Sequence, residues 1–350
     1  MPEALQRADK NDTADVLVVI VSWNSGPWLS DCLQALAAQS CRPRHTLIWD
    51  NGSDAATLAV LDTLPQRFAG VQVHRSGRNH GFAAGNNLAV AAAPASRFVL
   101  TLNADVVLQP DCLQRMLDRL ERDPRLAAIG AVQVRPDGVT IDGLGDMLHA
   151  SGIGWREGYG RSWQGAAPLG ERTAADSGER GAALASLAAL PAFSPCAAVA
   201  LYRRSAFEAV GGFDADFFCY FEDVDLGYRL RLAGWQCAVA PDARATHVGS
   251  VSTGAGSDFA VYHGHRNLVW CFVQNTPAPL LWLTLPLHLA MTACTLALYA
   301  LRGRAGVVLR AKRDALRGLP HAWRKRRAIQ AQRRAGTADI GTALRWGLRR

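Results

Sequence analysis

Short apolar runs that each end near a polar cluster constrain the fold of this chain more than any other sequence feature. The first run, Val16–Val21, is uninterrupted and mostly β-branched, which is typical of a strand buried on both faces of a parallel sheet. A polar turn follows, and then Trp28–Gln39 carries its apolar residues on one helical stripe. The start of the chain therefore predicts a strand, a turn and a helix.

Strand-like and helix-like segments continue to alternate to about residue 250. Further strands are predicted at His45–Trp49, Val71–Val73, Phe98–Leu102, Ala198–Tyr202 and Cys237–Ala240. Further helices are predicted at Ala55–Leu64, Ala83–Ala93, Asp111–Glu121, Ser205–Val210 and Glu222–Ala233. Such alternation with short connections indicates an open α/β sheet with right-handed crossovers.

Polar clusters at 22–24, 50–53, 78–81 and 103–105 fall at or just before the carboxyl ends of predicted strands. Open α/β sheets bind their ligands at these ends, so the clusters predict a ligand site. Residues 137–190 differ, because they are rich in Gly, Ala and Ser and have weak periodicity. We predict irregular structure or a hairpin there, with a mobile loop of the kind that often covers a bound acceptor substrate in enzymes.

The composition is that of a globular protein with a charged tail. Of 350 residues, 49% are apolar and 19% charged, which excludes a largely disordered chain. Residues 302–350 hold 15 Lys and Arg against two acids, whereas residues 1–301 hold 23 basic and 28 acidic residues. The eight cysteines form no CxxC pair and predict buried, reduced thiols. The first 15 residues contain no apolar signal segment, so we expect the catalytic part to face the cytoplasm.

The segment Leu280–Leu301 runs for 22 residues without a formal charge. It is long enough to span a bilayer, although Pro286 and His288 also fit a re-entrant or interfacial segment, or an ordinary buried helix. The basic tail follows at once, and this order favours an anionic membrane surface as its partner. Nucleic acid would explain the tail but not the apolar run, so no nucleic acid is expected.

Several acids and one histidine are candidates for chemistry. Asp105 follows a buried strand and is either a turn cap or a carboxylate ligand for Mg²⁺ or Mn²⁺ beside a diphosphate. Glu222 and Asp223 are either acids of a helix's first turn or carboxylates that lie in a partly desolvated cleft. The apolar and aromatic residues at 217–221 that precede them favour the cleft, where Asp223 would suit a general base. His247 is a second candidate ligand, and an imidazole favours Mn²⁺.

Two other segments suit a nucleotide. Asp50 ends a predicted strand, where its carboxylate either caps the turn or accepts the N3–H of uracil or thymine. Amides and glycines at 78–87 open a predicted helix in a way that permits close backbone approach by a phosphate or ribose. The chain contains neither GxGxxG nor GxxxxGK[ST], which disfavours dehydrogenase and P-loop classes.

Taken together and in this order, the motifs closely resemble the family 2 glycosyltransferases of the GT-A fold, in particular the rhamnosyltransferase-like branch of cell-surface polysaccharide synthesis such as that of O-antigen. The matching segments are Val21–Asn24, Trp49–Asp54, Asn79–Asn87, Leu102–Asp105, Gly211–Asp214 and Phe221–Leu226. The resemblance covers about residues 15–260 and implies a mixed sheet flanked by helices. It leaves residues 261–350 as a helical region, apolar then polybasic, that associates with membrane.

The resemblance also implies roles for individual residues. Asp223 is expected to be the base, with Glu222 beside a sugar, and Asp105 and His247 are expected to hold a divalent metal, Mg²⁺ or Mn²⁺. The nucleotide or donor sugar is expected to contact Ser22, Trp23, Asn24, Asp50, Asn51, Arg78, Asn79, Gly81, Asn87 and Asn103. Asn103 stands where the family's DxD motif has its first acid, which leaves the metal one charged ligand fewer.

The implied reaction is a single inverting displacement. A sugar, with L-rhamnose from dTDP-rhamnose as the leading hypothesis, would pass from a nucleotide-sugar to a hydroxyl of a polyprenyl-diphosphate-linked or glycan acceptor. The expected location is the cytoplasmic face of the bacterial inner membrane, either peripheral or with one membrane segment. A UDP-hexose donor and a non-catalytic membrane-bound scaffold are the alternatives.

Overall fold

A computed structural model describes residues 13–163, 188–249 and 256–347. In this part of the chain ten strands form one mixed sheet and two more form a hairpin. The strands are β1 (Thr13–Ser22), β2 (Arg42–Asp50), β3 (Val71–Arg75), β4 (Phe98–Leu102), β5 (Val106–Leu108), β6 (Leu126–Val134), β7 (Ile141–Gly143), β8 (Asp146–Leu148), β9 (Gly154–Arg156), β10 (Leu190–Pro191), β11 (Val199–Arg203) and β12 (Gln236–His247).

One half of the sheet is parallel, in the order β4-β1-β2-β3. Ser22 is level with Asp50 at the ends of β1 and β2. The carboxyl ends of these strands therefore share one edge, as the polar clusters predicted. Beyond β4 the order is β11-β6-β12-β10, and β11 is antiparallel to both of its neighbours. The expected mixed sheet is confirmed.

The continuous apolar run in β1 is explained by helices on both faces of the sheet. Val16, Val18 and Ile20 pack into one apolar layer, whereas Leu17 and Val19 pack into the other. Burial on both faces removes the need for alternating polar residues. Among the residues that the structure describes up to 232, the α-helices are α1 (Gly26–Ala37), α2 (Ala55–Arg67), α3 (Gly81–Ala92), α4 (Cys112–Arg122), α5 (Arg204–Ala209) and α6 (Glu222–Leu232).

Two strands of the sheet outside residues 137–190 were missed in the sequence. All nine residues of β6 are buried, but three of them are alanine and one is glycine, which have low β propensity, and tertiary packing overrides that preference. The short strand β5 follows the Asp105 turn and pairs with β12. Residues 137–163 include the antiparallel β8–β9 hairpin that was one of the alternatives for 137–190. The rest of the predicted loop, 164–187, lies outside the described residues.

The C-terminal region is helical, with α7 (Asp258–Asn275), α8 (Ala278–Leu301), α9 (Ala305–Arg317), α10 (Leu319–Ala331) and α11 (Thr337–Ala343). Within the described residues, α8 is the one helix long and apolar enough to cross a membrane. Asn267 of α7 donates to the carbonyls of Phe217, Cys219 and Tyr220. This region is therefore joined to the segment before α6, and its division from the body near residue 260 stays a prediction.

Candidate active site

A cleft of about 650 Å³ opens at the carboxyl edge of the parallel strands. Its walls come from the ends of β1, β4 and β12, the β8–β9 hairpin and the start of α6. The predicted site residues that line it are Trp23, Asn51, Asn79, Gly81, Asn103, Asp105, Glu222, Asp223 and His247. Motifs spread over more than 220 residues of sequence therefore meet in one cleft.

Asp105 and His247 face each other in this cleft. The His247 Nε2 atom lies 3.5 Å from Asp105 Oδ1, and the backbone N–H of Gly249 donates to Asp105 Oδ2 at 3.0 Å. They meet because β5, which follows Asp105, pairs with the end of β12, placing His247 level with Val106. One carboxylate oxygen and one imidazole nitrogen at this separation would supply two of the ligands of a divalent metal.

The other ring nitrogen of His247 is held by a residue that sequence reasoning missed. His247 Nδ1 donates to Asp142 Oδ2 at 2.8 Å, and Arg156 donates to the same oxygen at 2.7 Å. A carboxylate on Nδ1 fixes the tautomer whose Nε2 lone pair points at a metal. The donor set therefore fits a divalent cation, with Asp142 orienting the imidazole.

The electrostatics of this pair are those of a cation site. Burial lowers the pKa of His247, but the hydrogen bonds with Asp105 and Asp142 outweigh it and raise this pKa to about 9. Burial also opposes ionisation of Asp105, yet the contact with His247 brings the pKa of that carboxyl below its ordinary value. A positive charge is thus stabilised between the two carboxylates, which a bound metal would supply in place of the proton.

Asp223 lies beside a second carboxyl group, Asp146, which was also missed. Backbone N–H groups of Ala197 and Val224 donate to Asp223 at 3.2 and 2.8 Å. Carboxylate oxygens of Asp223 and Asp146 and the sulfur of Cys196 lie within 4.8 Å of one another. A carboxylate pair at this separation shares its ionisation, so one member stays protonated more readily than the other.

Burial raises the pKa of all three acids in this part of the cleft, but to different extents. The pKa of Asp146 is raised well above its ordinary value by burial and by the charge of Asp223. The pKa of Glu222 is raised in the same way, and its Oε2 atom is buried with no hydrogen-bond partner among the described residues. Asp223 is raised less, because two N–H groups and Arg156 offset its burial. Asp223 is therefore the acid that ionises first.

The Asp146, Cys196 and Asp223 group is a second set of side chains in the cleft that could hold a metal. Burial holds the pKa of the Cys196 thiol far above its ordinary value, and Asp146 is also biased to its protonated form. Metal ligands must be deprotonated. An ion bound to this group would therefore have to displace these protons.

The segment before α6 has an unusual backbone that positions Glu222 and Asp223. Phe218, Tyr220 and Phe221 have φ angles of 63°, 68° and 72°, in the left-handed region that bulky residues avoid. Asn267 restrains the segment through its three backbone acceptors. Strain of this kind costs about 1–3 kcal/mol per residue and is concentrated at functional sites.

Other predicted site residues support the cleft rather than line it. The side-chain amide of Asn87 donates to the Phe213 carbonyl and accepts from the Phe213 N–H, and Asn24 Oδ1 accepts from Asp54 N–H. Asp50 is buried and accepts from Ser53 N–H, while Ser22 Oγ is buried with no partner among the described residues. Arg78 lies exposed on the turn before α3. Ligand contacts for these five residues stay predictions.

Asp225, the third acid of the cluster, has a structural position. It is fully buried and forms an ion pair with Arg229, and it accepts from Gln274 and Asn275 of α7 at 2.8 and 2.6 Å. Of the first-turn acids of α6, Glu222 and Asp223 therefore line the cleft, whereas Asp225 joins α6 to α7.

The missed residues Asp142 and Asp146 did carry a signal in the sequence, because they are the only charged residues between Val139 and Trp155.

Gly81 allows α3 to approach the strained segment, and this gives a testable prediction. Its φ is +82°, and an added Cβ atom would lie 2.5 Å from the carbonyl oxygen of Phe218. We expect Gly81→Ala to destabilise the fold by about 1–3 kcal/mol from the backbone conformation alone, with the clash adding to it, and to lower activity. Thermal unfolding and a transfer assay measure the two effects.

Gly77→Ala is the matched control. Gly77 has a similar φ of +71°, but an added Cβ would meet nothing within 4 Å. This variant carries the backbone cost without the clash. Equal destabilisation by the two substitutions would show that the approach to Phe218 does not matter.

Comparisons with known proteins show the family to which this chain belongs. The family profile "Glycosyltransferase like family 2" matches residues 14–267. An N-acetylglucosaminyl-diphospho-decaprenol L-rhamnosyltransferase of Mycobacterium tuberculosis is 34% identical over 263 residues, which cover 71% of this chain and 82% of that protein.

Two solved structures share the fold. A mannosyltransferase from Pyrobaculum calidifontis, in complex with GDP-Man and Mn²⁺, superposes with a TM-score of 0.52 at 18% identity over 94% of this chain and 86% of its own. GalNAc-T7 with UDP, GalNAc and Mn²⁺ superposes with a TM-score of 0.55 at 16% identity, over 76% of this chain and 48% of its own. Given the extent of the family match and the identity to the mycobacterial enzyme, the chain belongs to glycosyltransferase family 2, and its fold is GT-A.

Proposed function

We propose that this chain is an inverting, metal-dependent transferase that moves L-rhamnose from dTDP-rhamnose to a lipid-linked acceptor. The observation that carries the proposal is the pairing, in one cleft, of an ionisable Asp223 with the Asp105 and His247 pair. The reaction needs a base for the acceptor hydroxyl and positive charge for the departing nucleoside diphosphate.

The chemistry of the base follows from its surroundings. Asp223 would accept the proton of the acceptor hydroxyl while that oxygen attacks the anomeric carbon from the side opposite the leaving diphosphate. The bond from the anomeric carbon to the diphosphate oxygen breaks in the same step, so the configuration inverts. The pKa values of Asp146 and Glu222 are raised more than that of Asp223, which favours Asp223 as the anion of this region. In their neutral forms Asp146 and Glu222 would donate hydrogen bonds to sugar hydroxyls.

Asp105 and His247 would hold Mn²⁺ or Mg²⁺, and the imidazole ligand favours Mn²⁺. Such an ion supplies positive charge to the diphosphate oxygens. Asn103 at the same strand end carries no charge and would hydrogen-bond a ribose or a metal-bound water. The nucleoside would lie at the ends of β1 and β2, where Trp23, Asn51 and Asn79 line the cleft.

The donor and acceptor classes are supported by the mycobacterial relative, which is named for rhamnose transfer to N-acetylglucosaminyl-diphospho-decaprenol. We propose the same class of acceptor here, a sugar on a polyprenyl diphosphate. A UDP-hexose donor is the second candidate, since a carboxylate that accepts the N3–H of a pyrimidine does not distinguish uracil from thymine. A non-catalytic scaffold would have no need to retain Asp105, Glu222 and Asp223 in one cleft.

We further propose that α8 lies on the cytoplasmic face of the inner membrane rather than crossing it. Leu280, near its start, packs with Phe217 and Ile340, and Tyr299, near its end, packs with Val261 of α7. Both ends thus contact the same side of the protein, which a spanning helix does not allow. α8 also exposes Trp282, Leu283, Leu289, Leu298 and Leu301, and a basic region follows it, as suits an anionic surface.

Substitutions of these exposed residues test the membrane proposal. Changing Trp282, Leu283 and Leu289 together to Gln is expected to move most of the protein into the soluble fraction, because it removes the apolar area that enters the interface. Transfer to a detergent-solubilised acceptor is expected to remain. The control is the variant with Leu88→Gln and Val107→Gln, which changes two exposed apolar residues outside α8. If the triple variant stays on membranes as fully as this control, α8 is not the anchor.

The donor is tested with a panel of nucleotide sugars. Purified enzyme, a membrane lipid extract and Mn²⁺ are incubated with dTDP-rhamnose, UDP-glucose, UDP-N-acetylglucosamine or GDP-mannose, and label in the lipid fraction is counted. We expect transfer from dTDP-rhamnose. Transfer from a UDP-hexose alone would replace the rhamnose proposal with the second candidate, and no transfer from any donor would count against both.

A further inference from the structure

A second cavity, which we call the side chamber, adjoins the catalytic cleft. Its volume is about 350 Å³, and it shares Gly154, Phe221 and Gly264 with the cleft. The remaining walls come from residues 151–153 and from α7, α8 and α9. Phe221 directly precedes Glu222 and Asp223 in the chain, and it forms part of the wall that the side chamber shares with the cleft those two acids line.

The side chamber contains an uncompensated positive charge. Lys312 of α9 faces it, and its Nζ atom donates a hydrogen bond to the His265 carbonyl at 3.2 Å. No carboxylate is among the described residues that line the chamber. Asp314, on the same helix, is bound by Tyr262, Arg313 and Arg317 instead.

Burial of Lys312 makes this arrangement costly without a ligand. Desolvation lowers the pKa of Lys312 to about 8, and burial together with the charge of Lys312 lowers the pKa of His265 to about 4. His265 is therefore neutral and does not repel an anion, while Lys312 is still largely protonated near neutral pH. A partly desolvated ammonium without a carboxylate gains from an anionic partner.

The side chamber also adjoins an apolar path. Met291 and Tyr299 of α8 line it, and the same helix exposes Leu289, Leu298 and Leu301. A ligand with its anion at Lys312 would have the apolar side chains of α8 on one side and the wall shared with the catalytic cleft on the other. Such a ligand has three parts in order, namely an acceptor hydroxyl, an anionic link and a long apolar chain.

We propose that the side chamber binds the diphosphate of the lipid-linked acceptor, with Lys312 donating to it. The acceptor sugar then passes Phe221 toward Asp223, and the prenyl chain leaves along α8. This inference rests on the acceptor class of the proposed function. It assigns the donor diphosphate and the acceptor diphosphate to different places, the first at Asp105 and His247 and the second at Lys312.

The test is direct binding of farnesyl diphosphate, a short prenyl diphosphate, to the full-length protein in detergent, measured by calorimetry. We expect farnesyl diphosphate to bind at least about tenfold more tightly than farnesol, since only the diphosphate engages Lys312. Lys312→Met should weaken its binding about tenfold or more, and Lys312→Arg should restore most of it. Saturating UDP with Mn²⁺ should not displace it.

Arg313→Met is the matched control, because this substitution removes the same charge from the same helix. Arg313 itself is exposed and is paired with Asp314. Equal weakening by both substitutions, or unchanged binding in Lys312→Met, would overturn the proposal. Displacement by UDP would assign the probe to the donor site and overturn it as well. Displacement by phosphatidylglycerol at equal concentration would mean that the chamber takes a phospholipid headgroup instead.

This binding test does not depend on sugar transfer. If the enzyme transfers no sugar from any donor yet binds farnesyl diphosphate through Lys312, the proposed function fails while the anion site stands. If transfer occurs and Lys312→Met leaves the KM for the lipid acceptor unchanged, the proposed function stands and the side chamber assignment fails.

Discussion

Asp223→Asn is expected to lower kcat by about 10²–10⁴-fold, the range a positioned general base contributes. Asparagine has the same shape, and its side-chain oxygen can still accept the N–H of Ala197 or Val224, but the amide cannot take the acceptor proton. Binding of the nucleoside diphosphate with Mn²⁺, measured by calorimetry, is expected to stay near the wild-type value, because Asp105 and His247 are unchanged.

Glu222→Gln is the control for this prediction. Burial and the charge of Asp223 raise the pKa of Glu222 well above its ordinary value and so favour its neutral form, which a neutral amide resembles. We expect a smaller loss of kcat than for Asp223→Asn. A larger loss in Glu222→Gln, with turnover retained in Asp223→Asn, would exchange the roles of the two residues.

The pH dependence gives the same assignment a second test. The base must be ionised to act, so kcat falls as the pH decreases through the pKa of Asp223. Because burial raises this pKa, the fall is expected to begin at a higher pH than for an exposed aspartate, whose pKa is about 3.9. An acid limb at the ordinary aspartate pKa would show that Asp223 is not the group titrated.

Loss of the metal pair is the second large effect that we expect. Asp105→Asn removes the charged member of the pair, so Mn²⁺ affinity and Mn²⁺-dependent binding of the nucleotide should both fall by more than about 100-fold. Chelation of the wild-type enzyme with EDTA should stop transfer, and Mn²⁺ should restore it. Wild-type turnover that is indifferent to EDTA would remove the metal role.

Asp142→Asn separates orientation of the imidazole from metal binding itself. It weakens the hydrogen bond to His247 Nδ1 and leaves both proposed ligands in place. Residues that orient a ligand cost about 10–100-fold in metal affinity when changed. We therefore expect Asp142→Asn to lie between the wild type and Asp105→Asn in a Mn²⁺ titration.

The parallel half of the sheet could be predicted because its strands are continuous apolar runs that each end in polar residues. β1 is the clearest case, since burial on both faces leaves no polar position to confuse the pattern. β6 could not be predicted in the same way. Its alanines and glycine are buried by the neighbours β11 and β12, and this tertiary context has no local signature.

In the candidate site, too, residues in local motifs could be predicted, whereas residues placed by tertiary contacts could not. Asp105, His247 and Asp223 could be named because each stands in a motif at the end of a strand or the start of a helix. Asp142 and Asp146 lie in a segment without clear periodicity, and their roles arise from contacts across more than 45 residues of sequence, with His247 and Ser194. Lys312 was visible only as one cation of a basic tail, and its burial in the side chamber depends on how α9 packs on α7.

The most direct test of the central claim is the anomeric configuration of the product, determined by NMR spectroscopy. The wild-type enzyme is given dTDP-rhamnose, Mn²⁺ and an N-acetylglucosaminyl-diphospho-prenol acceptor, and the new glycosidic bond is compared with that of the donor. Attack by a hydroxyl that Asp223 deprotonates in a single displacement predicts complete inversion. A product with retained configuration, or no glycosidic product at all, would contradict the account.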